Sequence, residues 1–167
     1  MKITPFSPGC GAVVNNHQLA TLSDTQLGEL RAAFAEYGLL FFRDQALSPE
    51  DHLAFARRFG NIVLNKFFTP VPGYPQIAEV RKEKAQQTNI GGGWHTDHSY
   101  DSEPALGSLH AHAEQPQFTC KFNWLPGSVA FWDNRSTWHF AQNDYQGEAR
   151  LMHRITLAGS PLAGDWR

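Results

Sequence analysis

The chain has 167 residues, of which 41% are hydrophobic, 13% aromatic and 18% charged. This composition excludes an intrinsically disordered chain, and the length favours one domain, which we take to span residues 1–167. A formal net charge of −2 without a basic stripe argues against a nucleic-acid partner. Because no apolar run is long enough for a membrane span or a signal peptide, we expect a cytoplasmic protein with no membrane partner.

The first predicted helix begins after Ser23. Ser23 and Gln26 form the pattern of a capping box, and apolar residues recur at helical spacing as far as Tyr37. Gly38 is the expected end of the helix, because glycine readily adopts the left-handed conformation found there. The apolar run Leu39–Phe42 is too short for a helix and predicts a buried strand.

A second helix is predicted from Ser48 to Gly60, with Ser48 as the N-cap, Pro49 at the first helical position and Asp51 in the first turn. From residue 61 onward, prolines and glycines separate short apolar stretches, at 77–80, 106–109, 118–122 and 129–132, as is typical of short strands. The pattern predicts a mainly β fold with flanking helices. The glycines at 91–93 are interpreted as letting the backbone pass close to a bulky group.

Two features are predicted to carry no site. Cys10 and Cys120 are far apart in the sequence and form no CxxC motif, so we predict neither a disulfide nor a zinc site, and a reducing compartment fits. The basic cluster from Arg81 to Lys84 is interrupted by an acidic residue, and we interpret it, Lys82 included, as a solvated turn or strand edge.

The segment Trp94-His95-Thr96-Asp97 places an imidazole and a carboxylate on the same face of a strand, because side chains alternate there. His139, which follows the predicted strand at 129–132 and a loop, is a candidate partner. Two histidines and one carboxylate can occupy one face of an octahedral metal and leave positions open for dioxygen and a cosubstrate, which favours Fe(II). A His-x-Asp pair by itself is weak evidence for such a site.

Two arginines near the C-terminus form a second candidate group. Arg150 and Arg154 are an even number of positions apart, so on a strand both face one side while His153 faces the other. A guanidinium group binds a carboxylate through two hydrogen bonds and stays charged at any working pH. Alternatively, either arginine is a surface residue that pairs with an acid such as Asp144 or Glu148.

Three segments together carry a specific resemblance: residues 94–97, the block from Trp132 to His139, and Arg150-Leu151-Met152-His153-Arg154. They resemble the taurine/2,4-dichlorophenoxyacetate dioxygenase family of Fe(II)/2-oxoglutarate enzymes. The resemblance implies a double-stranded β-helix, or jelly roll, with flanking helices.

The same resemblance implies roles for individual residues. His95, Asp97 and His139 correspond to the family's iron ligands, Arg150 to the arginine that pairs with the distal carboxylate of the cosubstrate 2-oxoglutarate, and Arg154 to an arginine that meets an anionic substrate group. Members of the family hydroxylate substrates with dioxygen and release succinate and carbon dioxide.

The expected substrate is a small anionic molecule: a sulfonate, a sulfate ester, or an aryloxy or carboxylic acid. Gly91 stands where taurine-specific members carry an asparagine that helps to hold the substrate, so taurine itself is in doubt. The family commonly forms dimers or tetramers, so the resemblance implies a possible homo-oligomer, and no other feature of the sequence bears on it.

The resemblance has two parts, at about residues 1–111 and 112–167, and the chain departs from the family between them. A jelly roll needs eight strands, and a central segment is missing at Ala111/His112, together with the threonine that usually contacts 2-oxoglutarate. Either the sequence omits this segment or the protein has lost it. We favour the first explanation, because a true deletion would leave costly open strand edges.

Two rival functions use the same residues. A non-catalytic metal-binding relative would retain the ligands without enclosing a substrate. A zinc hydrolase would also suit two histidines and a carboxylate, but the arginine pair argues against it, because a zinc-bound water needs no clamp for a distal carboxylate.

Overall fold

The computed structural model describes residues 1–96 and 119–159. Contacts between Cα atoms divide the chain into two compact units, the first from the described residues of Met1–Leu47 and Thr96–Trp138, the second from those of Ser48–His95 and His139–Arg167. In chain order the elements are β1 (Lys2–Ser7), β2 (Cys10–Asn15), a 3-10 turn (Leu19–Thr21), α1 (Asp24–Tyr37), β3 (Leu39–Phe42), α2 (Pro49–Arg57), β4 (Ile62–Val63), β5 (Pro70–Val71), β6 (Tyr74–Lys82), β7 (Val129–Trp132), β8 (Arg150–Arg154) and β9 (Thr156–Leu157).

The first unit contains a four-stranded sheet in the order β1-β2-β3-β7. Strands β1 and β2 form an antiparallel hairpin, β2 pairs with β3 in parallel, and β3 pairs with β7 antiparallel. Leu40 and Phe42 are fully buried in β3, and Phe34 of α1 stacks on Phe131 of β7 with ring centroids 4.1 Å apart. This confirms the strands predicted at Leu39–Phe42 and at 129–132.

Helix α1 has the predicted boundaries. The Ser23 hydroxyl accepts the Gln26 N–H at 3.2 Å, and the Gln26 side chain accepts the Ser23 N–H at 2.9 Å, which completes the capping box. Gly38 ends the helix with a φ of 65°, and a Cβ at this position would lie 2.8 Å from the Ser136 hydroxyl. Backbone conformation and packing therefore both require glycine here.

The second unit contains a three-stranded antiparallel sheet, β5-β6-β8, and a β4-β9 pair. Ile77 and Ala78 of β6 are buried, as are Leu53 and Phe55 of α2. Helix α2 begins as predicted, with Ser48 and Asp51 in a capping box, but it ends at Arg57 rather than Gly60. The N–H groups of residues 58 and 59 reach back only three residues, which tightens the last turn.

One predicted strand was wrong over its described residues, and one hairpin was not predicted. Residues 119–122 belong to no strand, although the apolar run at 118–122 predicted one, and the hairpin of β1 and β2 was not foreseen. The predicted strand at 106–109 and the Ala111/His112 junction lie outside the described residues. None of the described helices has the length and apolar character that a membrane crossing requires.

Although Cys10 and Cys120 are far apart in the sequence, the fold brings their side chains together. The Sγ atoms of Cys10 and Cys120 lie 2.7 Å apart within the first unit, as two thiols rather than a disulfide. The hydrogen bond between them lowers the pKa of Cys10 and raises that of Cys120. Separation along the sequence gave no information here, because the fold places Cys120 beside the start of β2.

Candidate metal and cosubstrate site

The centre of the candidate site is a short antiparallel bridge between His95 and His139 in the second unit. The N–H of His95 donates to the carbonyl of His139 at 3.0 Å, and the N–H of His139 donates to the carbonyl of His95 at 2.8 Å. The ring centroids are 4.2 Å apart, with 55° between the planes. With metal–nitrogen distances of about 2.1 Å, two rings this close can reach one ion.

The tautomer of His95 follows from its neighbour. Its Nδ1 lies 2.7 Å from the carbonyl oxygen of Gly93. Because a carbonyl can only accept a hydrogen bond, Nδ1 carries the proton, and the lone pair of Nε2 remains for a metal.

Gly91 makes room for the His95 ring. Its φ is +80°, and a Cβ would lie 2.8 Å from Cε1 and 3.3 Å from Nε2 of His95. The carbonyl of Gly91 also accepts the N–H of Ala141 at 2.9 Å, which continues the pairing beyond the bridge. The bulky group predicted beside the glycines at 91–93 is therefore the imidazole of His95.

Asp97, the predicted carboxylate ligand, lies outside the described residues. The preceding Thr96 is buried, and its hydroxyl donates to the carbonyl of Asn134 within the first unit. Within 1–96 and 119–159, no three histidine, cysteine, aspartate or glutamate side chains come together in a possible metal group. The structure thus brings together His95 and His139, two of the three predicted ligands.

Arg150 begins β8 and is half-buried. Its Cζ lies 5.4 Å from the ring centroid of Tyr145. Among the described residues, neither Arg150 Nε nor the hydroxyl of Tyr145 has a hydrogen-bond partner, although both atoms are buried. Nor does the described structure record an ion pair between Arg150 and Asp144 or Glu148. Such unsatisfied donors fit a carboxylate ligand.

The parity predicted for β8 is confirmed. Burial alternates along the strand, with Arg150, Met152 and Arg154 less exposed than Leu151 and His153. Arg154 lies opposite Ala78 in the ladder with β6, on the same face as Arg150. His153 occupies the other face, as expected of a residue that is not a ligand.

The basic cluster that begins at Arg81 does not behave as one surface. Arg81 is 51% exposed and pairs with Glu79 at 3.1 Å and Glu83 at 3.6 Å, as a solvated strand edge would. Lys82 is only 1% exposed, and its Nζ lies 4.6 Å from the ring centroid of Tyr145. The solvated interpretation was therefore wrong for Lys82. The signal that could have found it is strand parity, since Lys82 shares a face with Ala78 and Val80.

The sequence model of one family, "Taurine catabolism dioxygenase TauD, TfdA family", matches residues 2–109 and 101–156. The chain is 29% identical over 170 residues to the (S)-phenoxypropionate/alpha-ketoglutarate-dioxygenase of Sphingobium herbicidovorans, a match that covers 96% of this chain and 55% of the relative. The chain thus spans about half the length of that relative.

Solved structures show the same fold. A taurine dioxygenase from Burkholderia xenovorans superposes with a TM-score of 0.79 at 22% identity, over 95% of this chain and 91% of its own. AAD-2, solved in complex with Mn(II) and N-oxalylglycine, gives a TM-score of 0.75 at 17% identity, over 98% of this chain and 99% of its own. With the family match extending over residues 2–156, the chain belongs to the TauD, TfdA family of dioxygenases.

Proposed function

We propose that this chain carries the Fe(II) and 2-oxoglutarate site of a dioxygenase that hydroxylates a small anionic substrate and releases succinate and carbon dioxide. The observation that carries the proposal is the pair of imidazoles, His95 and His139, held 4.2 Å apart by reciprocal backbone hydrogen bonds. The names of the relatives support it, since they include an alpha-ketoglutarate-dioxygenase and a taurine dioxygenase.

The metal would be held by His95, Asp97 and His139. When bound, Fe(II) and 2-oxoglutarate supply the activation of dioxygen, and the protein supplies orientation and charge. The bond between His95 Nδ1 and the Gly93 carbonyl fixes the ring so that Nε2 is the coordinating atom. Asp97 is proposed from its place in the motif, two residues after His95.

Arg150 would hold the distal carboxylate of 2-oxoglutarate through its guanidinium group, whose Nε atom is buried. Arg154, on the same face of β8, would meet the anionic group of the substrate. A sulfonate, a sulfate ester and an aryloxy or carboxylic acid all offer oxygens that such a group binds. Taurine is disfavoured, because an asparagine at position 91 could not be placed without moving His95.

We also propose that residues 1–167 form a single jelly-roll domain that lacks a central segment at Ala111/His112. Two observations support this arrangement. The family model matches the chain in two parts, which overlap at residues 101–109, and the chain spans only about half of its curated relative.

The decisive test is anaerobic addition of Fe(II) and 2-oxoglutarate, followed by absorption spectroscopy. The wild type should show a visible charge-transfer band, and His139→Ala should lose it. The control is His153→Ala, an exposed histidine on the opposite face of β8, which should keep the band.

No band in the wild type, or an equal band in His139→Ala, would refute the proposal. Succinate release can then be screened over sulfonates, sulfate esters and aryloxy acids. A band without any succinate release would indicate the non-catalytic relative, and activity restored by zinc but not by iron would indicate the hydrolase.

A further inference from the structure

Lys82 and Arg150 form a pair of cations on neighbouring strands. They are direct partners in the antiparallel ladder of β6 and β8, so their side chains leave the sheet on the same face. Both lie over the ring of Tyr145, with Lys82 Nζ at 4.6 Å and Arg150 Cζ at 5.4 Å from its centroid. The three side chains, Lys82, Tyr145 and Arg150, are called the cation clamp below.

Three polar atoms of the cation clamp have no hydrogen-bond partner among the described residues. Lys82 Nζ, Arg150 Nε and the hydroxyl of Tyr145 are all buried without a hydrogen-bond partner there. Contact with an aromatic ring offsets only part of the cost of burying an ammonium group, and two like charges on adjacent strands repel each other. A ligand that carries negative charge would satisfy all three groups.

The clamp is continuous with the histidine bridge along the chain. The segment that follows Lys82 leads to His95, and the segment that follows His139 leads to Arg150. These segments also pair between their ends, since Asn143 donates to the carbonyl of Gln87 at 2.7 Å. The same two stretches of chain therefore carry both the proposed metal ligands and the cation clamp.

We propose that Lys82 is a second cationic contact for the distal carboxylate of 2-oxoglutarate, beside Arg150, and that the hydroxyl of Tyr145 is a third donor. This inference rests on the proposed function. Lys82 is thus a binding residue on β6, which the family resemblance did not assign.

The test measures ligand binding rather than turnover. Mn(II)-loaded protein is titrated anaerobically with 2-oxoglutarate and with 2-oxopentanoate, which keeps the metal-chelating end but carries a methyl group in place of the distal carboxylate. We expect Lys82→Met to weaken the binding of 2-oxoglutarate by about ten- to a hundredfold, because a hydrogen bond to a charged group is lost. Its affinity for 2-oxopentanoate should stay within about twofold of the wild type by the same reasoning, since that ligand never reaches Lys82.

Thermal melting supplies a second, independent readout. Because Lys82→Met removes a buried cation without a partner, the ligand-free variant should melt no lower than the wild type, while its stabilisation by 2-oxoglutarate should shrink. Arg81→Met, at the adjacent and exposed position, is the matched control. It should change neither the melting temperature of the ligand-free protein nor its stabilisation by 2-oxoglutarate. If the methionine variant does not fold, Lys82→Gln carries the same test.

The outcomes separate a failure of the proposed function from a failure of the role proposed for Lys82. If the wild type binds neither 2-oxo acid when loaded with Mn(II), the proposed function fails. If the wild type binds 2-oxoglutarate and the Lys82 variants bind it equally well, or lose both ligands alike, the proposed function stands and the role of Lys82 is refuted.

Discussion

Gly91 is the residue on which the geometry of His95 depends most directly. A methyl group at position 91 would lie 2.8 Å from Cε1 of His95, and the backbone φ of +80° is one that L residues rarely adopt. We therefore expect Gly91→Ala to displace the imidazole and to weaken Mn(II) binding by about tenfold or more, the usual cost of disturbing the residues that orient a ligand. Titration of the metal-free protein with Mn(II), followed by electron paramagnetic resonance, measures this.

Gly93→Ala is the matched control for Gly91→Ala. A Cβ at position 93 would have no atom within 4 Å, and the Gly93 carbonyl that accepts from His95 would remain. This variant should keep the affinity of the wild type. Equal Mn(II) affinities in both alanine variants would show that Gly91 does not shape the site.

At the residue scale, the sequence predicted those members of the site that belong to compact motifs. His95 and the arginines of β8 were recognisable because their segments resemble motifs of the family, whereas spacing and parity alone were weak evidence. Lys82 was missed because its charged neighbours, Arg81 and Glu83, suggested one solvated cluster, whereas a strand sends alternate residues to opposite faces. Burial depends on the pairing of β6 with β8, and that pairing joins residues about 70 positions apart, which local patterns cannot reveal.

Among the elements, α2 predicts a pH dependence through the burial of His52. Burial of His52 on α2, with a smaller contribution from His153 on β8, lowers the pKa of His52 to about 4 from an ordinary value of 6.5. Between these pH values the unfolded chain binds the proton more readily than the folded protein, so stability is full above pH 6.5 and falls as the pH drops toward 4. The melting temperature should therefore decrease over this range.

His52→Gln isolates that effect, because the variant cannot take up the proton. Its melting temperature should fall less than that of the wild type between pH 7 and pH 5, in calorimetry at constant ionic strength. At pH 8 His52 is neutral in both the folded and the unfolded protein. Small changes of pH there should therefore shift the melting temperatures of the wild type and of His52→Gln alike. If the melting temperatures of the two proteins fell equally between pH 7 and pH 5, the assignment to His52 would be contradicted.

Elements with strong local signals were predictable. Helix α1 has a complete capping box and a terminal glycine, and β3 is a short, fully apolar run. The apolar run at 118–122 was misleading because Phe122, one of its two aromatic residues, packs without pairing as a strand. Phe122 stacks on Phe41 with centroids 4.1 Å apart and lies beneath the guanidinium of Arg43 at 3.9 Å. The hairpin of β1 and β2 lacked such a signal, because Pro5 and Pro8 interrupt the apolar residues of this stretch.

For the molecule as a whole, the pairing of Cys10 with Cys120 predicts a response to oxidants. The two residues are 110 positions apart, so a disulfide would close a very long loop. We expect diamide to take two electrons and two protons from the thiols and to form this bond. In the chain-entropy view a loop of this length raises the free energy of unfolding by about 4–5 kcal/mol, so the melting temperature should rise.

Mass spectrometry under denaturing conditions should then show a loss of two hydrogens and no free thiol. Cys10→Ser is the control, which should show neither the mass change nor the higher melting temperature. Retention of both thiols after treatment of the folded wild type would contradict the prediction.

At this scale the family and the mainly β fold class could be predicted from the sequence, whereas the division into two compact units could not. Compact motifs near His95, His139 and Arg150 suffice for recognition, because these segments carry the resemblance to the family. The division into two compact units depends on contacts between distant parts of the chain, such as β3 with β7 and β6 with β8. No local pattern encodes which of these strands become neighbours.

The reciprocal hydrogen bonds of His95 and His139 have a consequence for engineering. Because both bonds join main-chain atoms, replacing either side chain leaves the crossing of the two segments in place. An aspartate or cysteine introduced at position 139 would start from the same Cα position as the imidazole it replaces. The backbone of the bridge would therefore keep its position while the donor atom at residue 139 is exchanged, and at the proposed site this exchange would change which metal is preferred.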